Sequence, residues 1–358
     1  MSKDDTAPSS LDAEILSVIE RWHHTGEPLP DRDFNDLALR LLDYQLRYNA
    51  PYRRYCERLG ATSPETWEQI PGVPAAAFKE APLTTFDPSD AALVFETSGT
   101  TVGTPGRHYM QSPVLYDAAL LAGFDRFVLA DGARLRYFNI VPNPQERPHS
   151  SLGYMMARVC ASRADARIGW YLRDDELLVE EFLGDIDAAV RSGEPVCIAA
   201  TAFALVHLLD AMESRRLTFT LPPASRIMET GGFKGRARTV GRSELYARLC
   251  DAFGLPGDAI ISEYGMCELS SQYYARAGDA YAGPPWLRTR VVGPERMTLP
   301  LGTVGSLLHI DLANRSSCIA IQTEDLGAMT PAGLTLIGRD RDAPPRGCSL
   351  DAEDLQLR

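Results

Sequence analysis

The chain has 358 residues, 45% hydrophobic and 23% charged, which is the balance of a globular protein with room for one large domain or two ordinary ones. Lys plus Arg number 36 against 48 Asp plus Glu, so the net charge is 36 − 48 = −12, and no nucleic-acid or anionic-membrane partner is expected. The most apolar run, residues 196–209, is too short for a bilayer and holds Thr201 and His207, so no membrane insertion is expected. The polar, acidic N-terminus lacks the apolar core of a signal peptide. Seven cysteines (56, 160, 197, 250, 267, 318, 348) are scattered and never spaced as CxxC. That pattern predicts reduced thiols and a cytoplasmic location, not a disulfide framework or a zinc site.

Residues 10 to about 85 are predicted helical, with Leu11, Ile15 and Ile19 on one face and Phe34, Leu37, Ala38, Leu41 and Leu42 on another. Pro51, Pro71 and Pro74 punctuate this region. From about residue 90, short apolar strands alternate with amphipathic helices. Residues 196–200 predict a buried strand, and Thr201 is placed to cap a helix over 202–212. Residues 226–228 predict a strand, 244–253 a helix that Gly254 ends, and 259–262 the next strand. Residues 303–311 and 333–337 predict antiparallel or barrel strands. The alternation predicts an α/β protein with a substantially parallel sheet, whose ligands sit where strands hand over to loops at their carboxyl ends.

Four polar, glycine-bearing segments follow predicted strands. The first, Glu96-Thr97-Ser98-Gly99-Thr100-Thr101-Val102-Gly103-Thr104-Pro105-Gly106-Arg107, offers free backbone N–H groups and hydroxyls to an anion. It lacks the Gly-Lys-Ser/Thr ending of a Walker A loop, and the alternative is an ordinary surface loop. The second, Met228-Glu229-Thr230-Gly231-Gly232-Phe233-Lys234-Gly235, allows a flat ligand against backbone and puts Lys234 near an anion; the alternative is a plain turn with a solvated lysine. The third, Ser262-Glu263-Tyr264-Gly265-Met266-Cys267-Glu268-Leu269-Ser270, offers a ring for base stacking and, in Glu268, a hard oxygen for Mg²⁺. Its alternative is a core tyrosine and an exposed acid. In the fourth, Asp325 of Gln322-Thr323-Glu324-Asp325-Leu326-Gly327 could accept from ribose hydroxyls, with Arg339 pairing a phosphate or the same ribose; the alternative is a β-turn with a surface ion pair.

The order and spacing of the four segments resemble the core motifs of adenylate-forming enzymes: a Thr/Ser/Gly phosphate loop, a glycine pair, Tyr-Gly-x-Thr-Glu and Thr-Gly-Asp-Leu-Gly. Cys267 stands where threonine is usual, Glu324 where glycine is usual, and Arg107 in place of a lysine. Within that superfamily the chain is similar to the acyl-protein synthetase (LuxE) family over nearly its whole length. The resemblance is carried by Tyr44-Gln45, Asn49-x-x-Tyr52, Ile70-Pro71-x-x-Pro74 leading to Phe78-Lys79, and the segments 229–235 and 262–272. The ending Arg346-Gly347-Cys348-Ser349-Leu350 belongs to the same series.

The resemblance implies the large-domain fold of adenylate-forming enzymes: an α/β core with mixed and parallel sheets flanked by helices, and a small C-terminal β region. Residues 1–90 would be a helical segment packed on a core of residues 91–358. Only 358 − 339 = 19 residues follow Arg339, so the mobile C-terminal lid of larger relatives is expected to be absent. Lys234, Arg107 and Arg346 are then the candidates to neutralise the transferring phosphate. Nucleotide binding falls to Thr97, Ser98, Gly99, Thr100, Thr101, Gly231, Gly232, Tyr264, Gly265, Asp325 and Arg339, and Mg²⁺ to Glu268. The resemblance further implies ATP and Mg²⁺ as cofactors, a carboxylic and specifically fatty acid as substrate, and an acyl acceptor at Cys348, whose pKa the nearby Arg346 would lower. The partner implied is an acyl reductase or an acyl carrier protein. Two other readings stay open: an acyl-AMP ligase loading a carrier protein or coenzyme A with an aromatic, amino or fatty acid, and a non-catalytic subunit that binds acyl groups or nucleotide. His149 is read as structural.

Overall fold

The computed structural model describes residues 10–97, 105–164, 167–231 and 241–339. They fall into two compact units, one of Met1–Gly123, Met266–Gln272 and Tyr281–Arg358, the other of Phe124–Gly265 and Tyr273–Ala280. The boundary expected near residue 90 lies inside the first unit, because the N-terminal helices and the C-terminal strands share one core.

The first unit opens with α1 (Ser10–Thr25), α2 (Asp31–Tyr48) and α3 (Ala50–Arg58). The apolar stripes bury as the periodicity requires: Leu11, Ile15 and Ile19 on α1; Phe34, Leu37, Ala38, Leu41 and Leu42 on α2. Asn49 caps α3, its side chain accepting from Tyr52 N, and Pro51 sits in the first turn where its missing N–H costs nothing. The predicted helical stretch to residue 85 is too long. α3 ends at Arg58, and prolines at 64, 71, 74 and 82 confine the chain thereafter to short 3₁₀ turns and β1 (Val73–Pro74). β2 (Leu93–Glu96) and β3 (Arg107–Met110) pair antiparallel, and α4 (Val114–Phe127) carries the chain into the second unit.

The second unit contains β4 (Arg136–Ile140), α5 (Ser151–Arg163), β5 (Ile168–Trp170), β6 (Leu172–Arg173), β7 (Glu176–Leu177), α6 (Val179–Ser192), β8 (Val196–Thr201), α7 (Ala202–Ser214), β9 (Arg226–Thr230), α8 (Arg242–Phe253), β10 (Ile260–Tyr264) and β11 (Tyr273–Arg276). Its six-stranded sheet has the order β11-β10-β9-β8-β4-β5, parallel except for β11. Strand order reverses at β4, since β5 lies on one side and β8 on the other. The carboxyl ends of β4 and β8 therefore flank the crevice where sheets of this kind take ligands. The local chemistry is as read: Thr201 Oγ1 accepts from Ala204 N at 3.2 Å, and Gly254 ends α8 at φ 62°.

β12 (Leu287–Val292), β13 (Gly305–Asp311), β14 (Ala320–Thr330) and β15 (Gly333–Arg339) complete the first unit. They form an antiparallel sheet in which β14 pairs β13 along one edge and, on the other, first β1 and then β15. Gln45 and Asn49 tie the helices to this sheet: Gln45 Nε2 donates to Asn314 O at 2.8 Å, and Gln45 Oε1 accepts from Ile319 N at 2.7 Å. Asn49 Nδ2 donates to Ser317 O at 3.1 Å. No helix among the described residues is long and apolar enough to cross a membrane.

Candidate active site

In the second unit, the second and third polar segments leave adjacent parallel strands. Ser262 stands opposite Glu229 and Glu263 opposite Thr230, so Gly231 and Tyr264 emerge side by side at the carboxyl edge of the sheet. Gly231 is exposed at φ +72°, a conformation glycine adopts without strain. Tyr264 is half-buried with its ring tilted against Tyr273 at 5.9 Å between centroids. Two buried carboxylates brace these strand ends on opposite faces. Glu263 accepts from Thr230 Oγ1, while Glu229 accepts from Tyr246 Oη at 2.7 Å and pairs with Arg242, which also reaches Ser262 Oγ. Burial pushes the Tyr246 phenol up, so it stays a donor to Glu229. Arg242 was not legible in the sequence, because it lies beyond the segment it braces. Gly232 and Lys234 fall outside the described residues. His149 is exposed in the turn before α5.

In the first unit, Thr97 and Gly106 are bonded to each other on either side of residues 98–104: Thr97 N donates to Gly106 O and Gly106 N donates to Thr97 Oγ1, both at 2.9 Å. A Cβ on Gly106 would stand 3.2 Å from Thr97 Cγ2 and 3.3 Å from Lys79 Cγ, so this glycine lets the Phe78-Lys79 segment approach closely. Ser98, Gly99, Thr100 and Thr101 lie outside the described residues. Arg107 is half-exposed and pairs with Glu96 at 2.9 Å, a bond that pushes its pKa up. Asp325 and Arg339 stand opposite each other on β14 and β15 and form an ion pair at 2.9 Å. The ion pair of the alternative reading therefore exists, but within an antiparallel ladder and not in a β-turn. Cys348 and Arg346 lie outside the described residues.

The Cys267-Glu268 pair occupies a turn closed by Leu269 N donating to Met266 O at 3.1 Å. Glu268 is buried, with 6% exposure, so it is not the surface acid of the alternative reading. Three side chains reach the turn's backbone. His108 Nδ1 bonds Cys267 O at 2.8 Å, Asn314 Nδ2 donates to Glu268 O at 2.9 Å, and Asp311 Oδ2 accepts from Ser270 N at 3.0 Å. Asp311 Oδ1 accepts from Ser271 Oγ at 2.9 Å, and Ser271 Oγ accepts from Trp286 Nε1 at 2.9 Å. Burial pushes the Asp311 carboxyl up to about 6 and the His108 imidazole down to about 4. These three residues were missed in the sequence because lone polar residues, two in strands and Asn314 in the loop after β13, give no periodic signal.

Of the described cysteines, Cys56, Cys160, Cys197 and Cys318 are buried, and burial pushes the first up to about 12, the second to about 11, the third to about 12 and the last well up. Such thiols yield little thiolate at neutral pH. Cys250 is half-buried and also raised, while Cys267 is half-buried in the turn beside Glu268. Among the described residues no group of three His, Cys, Asp or Glu is placed to hold a metal ion. A single carboxylate still suits Mg²⁺ that arrives on nucleotide phosphates, since that ion takes one or two protein carboxylates and fills its remaining positions with water and phosphate oxygens.

The fold is that of adenylate-forming enzymes. A 2-hydroxyisobutyryl-CoA ligase, solved in an open conformation with 2-HIB-AMP and CoA, superposes with a TM-score of 0.64 at 16% identity, covering 88% of this chain and 72% of that one. ATP-bound MatB from Rhodopseudomonas palustris gives 0.52 at 15% identity, covering 72% and 50%. In sequence, the long-chain-fatty-acid–luciferin-component ligase of Vibrio harveyi is 24% identical over 328 residues, which is 86% of this chain and 84% of that protein. The family described as acyl-protein synthetase, LuxE, matches residues 25–354, a span that holds all four polar segments and the three side chains that reach the Cys267-Glu268 turn. By that match the chain belongs to the acyl-protein synthetase (LuxE) family.

Proposed function

We propose that this chain activates a long-chain fatty acid with ATP, forming acyl-AMP and pyrophosphate, and then transfers the acyl group to its own Cys348. The observation that carries the reading is the family match across residues 25–354, which takes in the strand-end segments and the Gly-Cys-Ser ending together. In the first step a carboxylate oxygen bonds the α-phosphorus while the bond to the bridging oxygen breaks and pyrophosphate leaves with its electron pair. In the second the Cys348 thiolate bonds the acyl carbon and AMP departs.

The chain's own residues position and neutralise. Thr97, Ser98, Gly99, Thr100 and Thr101 hold phosphate oxygens; Gly231, Gly232, Tyr264 and Gly265 bed the base; Asp325 and Arg339 take the ribose. Glu268 holds the Mg²⁺ that screens phosphate charge. Lys234, Arg107 and Arg346 supply cations to the departing pyrophosphate. The raised pKa values of the buried described thiols support Cys348 as acceptor, since a nucleophile must be reachable as thiolate. The thioester then goes to an acyl reductase, and the reaction takes place in the cytoplasm.

The test is exchange of labelled pyrophosphate into ATP across a carboxylic-acid panel. Exchange that depends on a long-chain fatty acid supports the first step, and none with any acid overturns it. Cys348→Ser should keep exchange and lose the hydroxylamine-labile acyl label. A label that persists moves the acceptor to Cys267. No label on wild type, but label on an added carrier protein, discards self-acylation.

A further inference from the structure

We propose that His108, Asn314 and Asp311 form a clamp that sets the direction of the Glu268 side chain, making all three positioning residues for the nucleotide-bound metal. The functional part rests on the assignment of Glu268 given above. The clamp itself rests on geometry alone.

The turn from Met266 to Leu269 has one internal backbone bond, which by itself leaves its peptide planes free to rotate. The carbonyls of Cys267 and Glu268 are consecutive, and each is taken by a different side chain, His108 Nδ1 at 2.8 Å and Asn314 Nδ2 at 2.9 Å. These two bonds grip the peptide planes on both sides of Glu268, so its φ and ψ cannot change far without breaking one of them. Downstream, Asp311 takes Ser270 N, and Asn314 Oδ1 accepts from Ser270 Oγ at 2.6 Å. The grip therefore extends from residue 267 to residue 271, where Ser271 Oγ donates to Asp311.

A carbonyl oxygen only accepts, so His108 must carry its proton on Nδ1. The residue is 1% exposed, with its ring edge-on to Phe78 at 5.8 Å between centroids. Asp311 and Asn314 are equally buried. Apolar residues of similar volume would fill this space at lower desolvation cost, and their bonds converge on one short segment, the one that carries Glu268. Each of the three comes from a stretch that sequence leaves far from the turn: β3, the end of β13 and the loop after it.

The experiment separates the donor from the ring. His108→Asn keeps an amide donor near the Nδ1 position and drops the ring; His108→Phe keeps the ring and drops the donor. A clamp predicts acyl-AMP formation by His108→Asn within about threefold of wild type. It predicts His108→Phe slower by roughly 10- to 100-fold, with a raised Mg²⁺ requirement. Equal or better activity in His108→Phe overturns the proposal, since simple packing predicts that order. Hydrogen exchange of the peptide 264–272 needs no turnover: it should quicken in His108→Phe and not in His108→Asn, and unchanged protection in both overturns the clamp. If wild type forms no acyl-AMP with any acid, the catalytic reading fails while exchange still decides the clamp. If His108→Phe does not fold, Ser270→Ala removes one grip mildly. A raised Mg²⁺ requirement there supports the proposal, and an unchanged one overturns it.

Discussion

The second unit packs its parallel sheet on a large apolar cluster, while the first adds to its apolar core a set of fully buried polar side chains. In the second, Phe138, Phe182, Leu205, Leu209, Ile227, Leu249 and Phe253 are fully buried in one cluster between the parallel sheet and its helices. In the first, Gln45, Asn49, His108, His309, Asp311, Asn314 and Ser317 are buried to 1% exposure or less. Gln45 alone joins α2 to residues 269 and 274 positions away. Apolar contacts are non-directional, and a cluster of them accepts any side chain of the right volume. Hydrogen bonds fix direction and register, and a lost partner leaves a buried group unsatisfied.

The largest expected difference tests that contrast directly. Gln45→Leu, of similar size, should cost about 2–5 kcal/mol because Ile319 N–H is left buried without its partner and Asn314 O keeps only Ser317 N at 3.3 Å. Leu205→Met, the equivalent change in the apolar cluster, should cost under about 1.5 kcal/mol. Urea unfolding of the two variants decides, and equal losses would erase the distinction. Next in size, Glu268→Gln should slow Mg²⁺-dependent pyrophosphate exchange by roughly 10²-fold with its melting temperature unchanged. Near-normal exchange would remove the metal role from this residue.

Acidification is the third test. His108 and His309 are both pushed by burial from 6.5 to about 4. A histidine held neutral in the fold contributes stability that is complete above pH 6.5 and lost as pH falls toward 4. Asp311 works the other way: its carboxyl is raised to about 6, so its contribution is complete below its unfolded value near 3.8 and lost as pH rises through 6. At about 1.4 kcal/mol per group per pH unit, two histidines outweigh one aspartate, and melting temperature should fall between pH 6.5 and 4. His309→Asn should make that fall shallower, and an unaltered profile would contradict the assignment. The smallest effect belongs to the exposed edge. Asp325→Ala breaks a pair whose arginine side chain is 51% exposed, so stability should change by under about 1 kcal/mol while KM for ATP rises several-fold. Lower turnover at unchanged KM would contradict a ribose contact.

Legibility follows the range of each interaction along the chain and not the division into units. The α1 and α2 stripes, the strand at 196, the Thr201 cap and the Gly254 stop were all readable, because each depends on residues within a few positions of one another. The helical reading to residue 85 ran past Arg58 because a stretch with scattered apolar residues resembles a helix until its prolines are weighed one by one. Of the site, the strand-end segments were visible as glycine and hydroxyl runs after apolar strands. The clamp was not: His108, Asp311 and Asn314 have no spacing relative to Cys267 and Glu268 that a linear pattern can register.

By itself the sequence determined the periodic elements, the places where strands give way to polar loops and, through its ordered motifs, the family. These are local matters of side-chain period, φ preference and capping, and they do not need distant residues. The tertiary structure decided that the N-terminal helices and C-terminal strands form one unit, that Glu268 is buried, and that Asp325 meets Arg339 across a ladder. It also decided which side chains grip the turn. Those outcomes depend on desolvation and on hydrogen-bond direction between stretches far apart in the chain, and both come into being only when the chain has closed on itself.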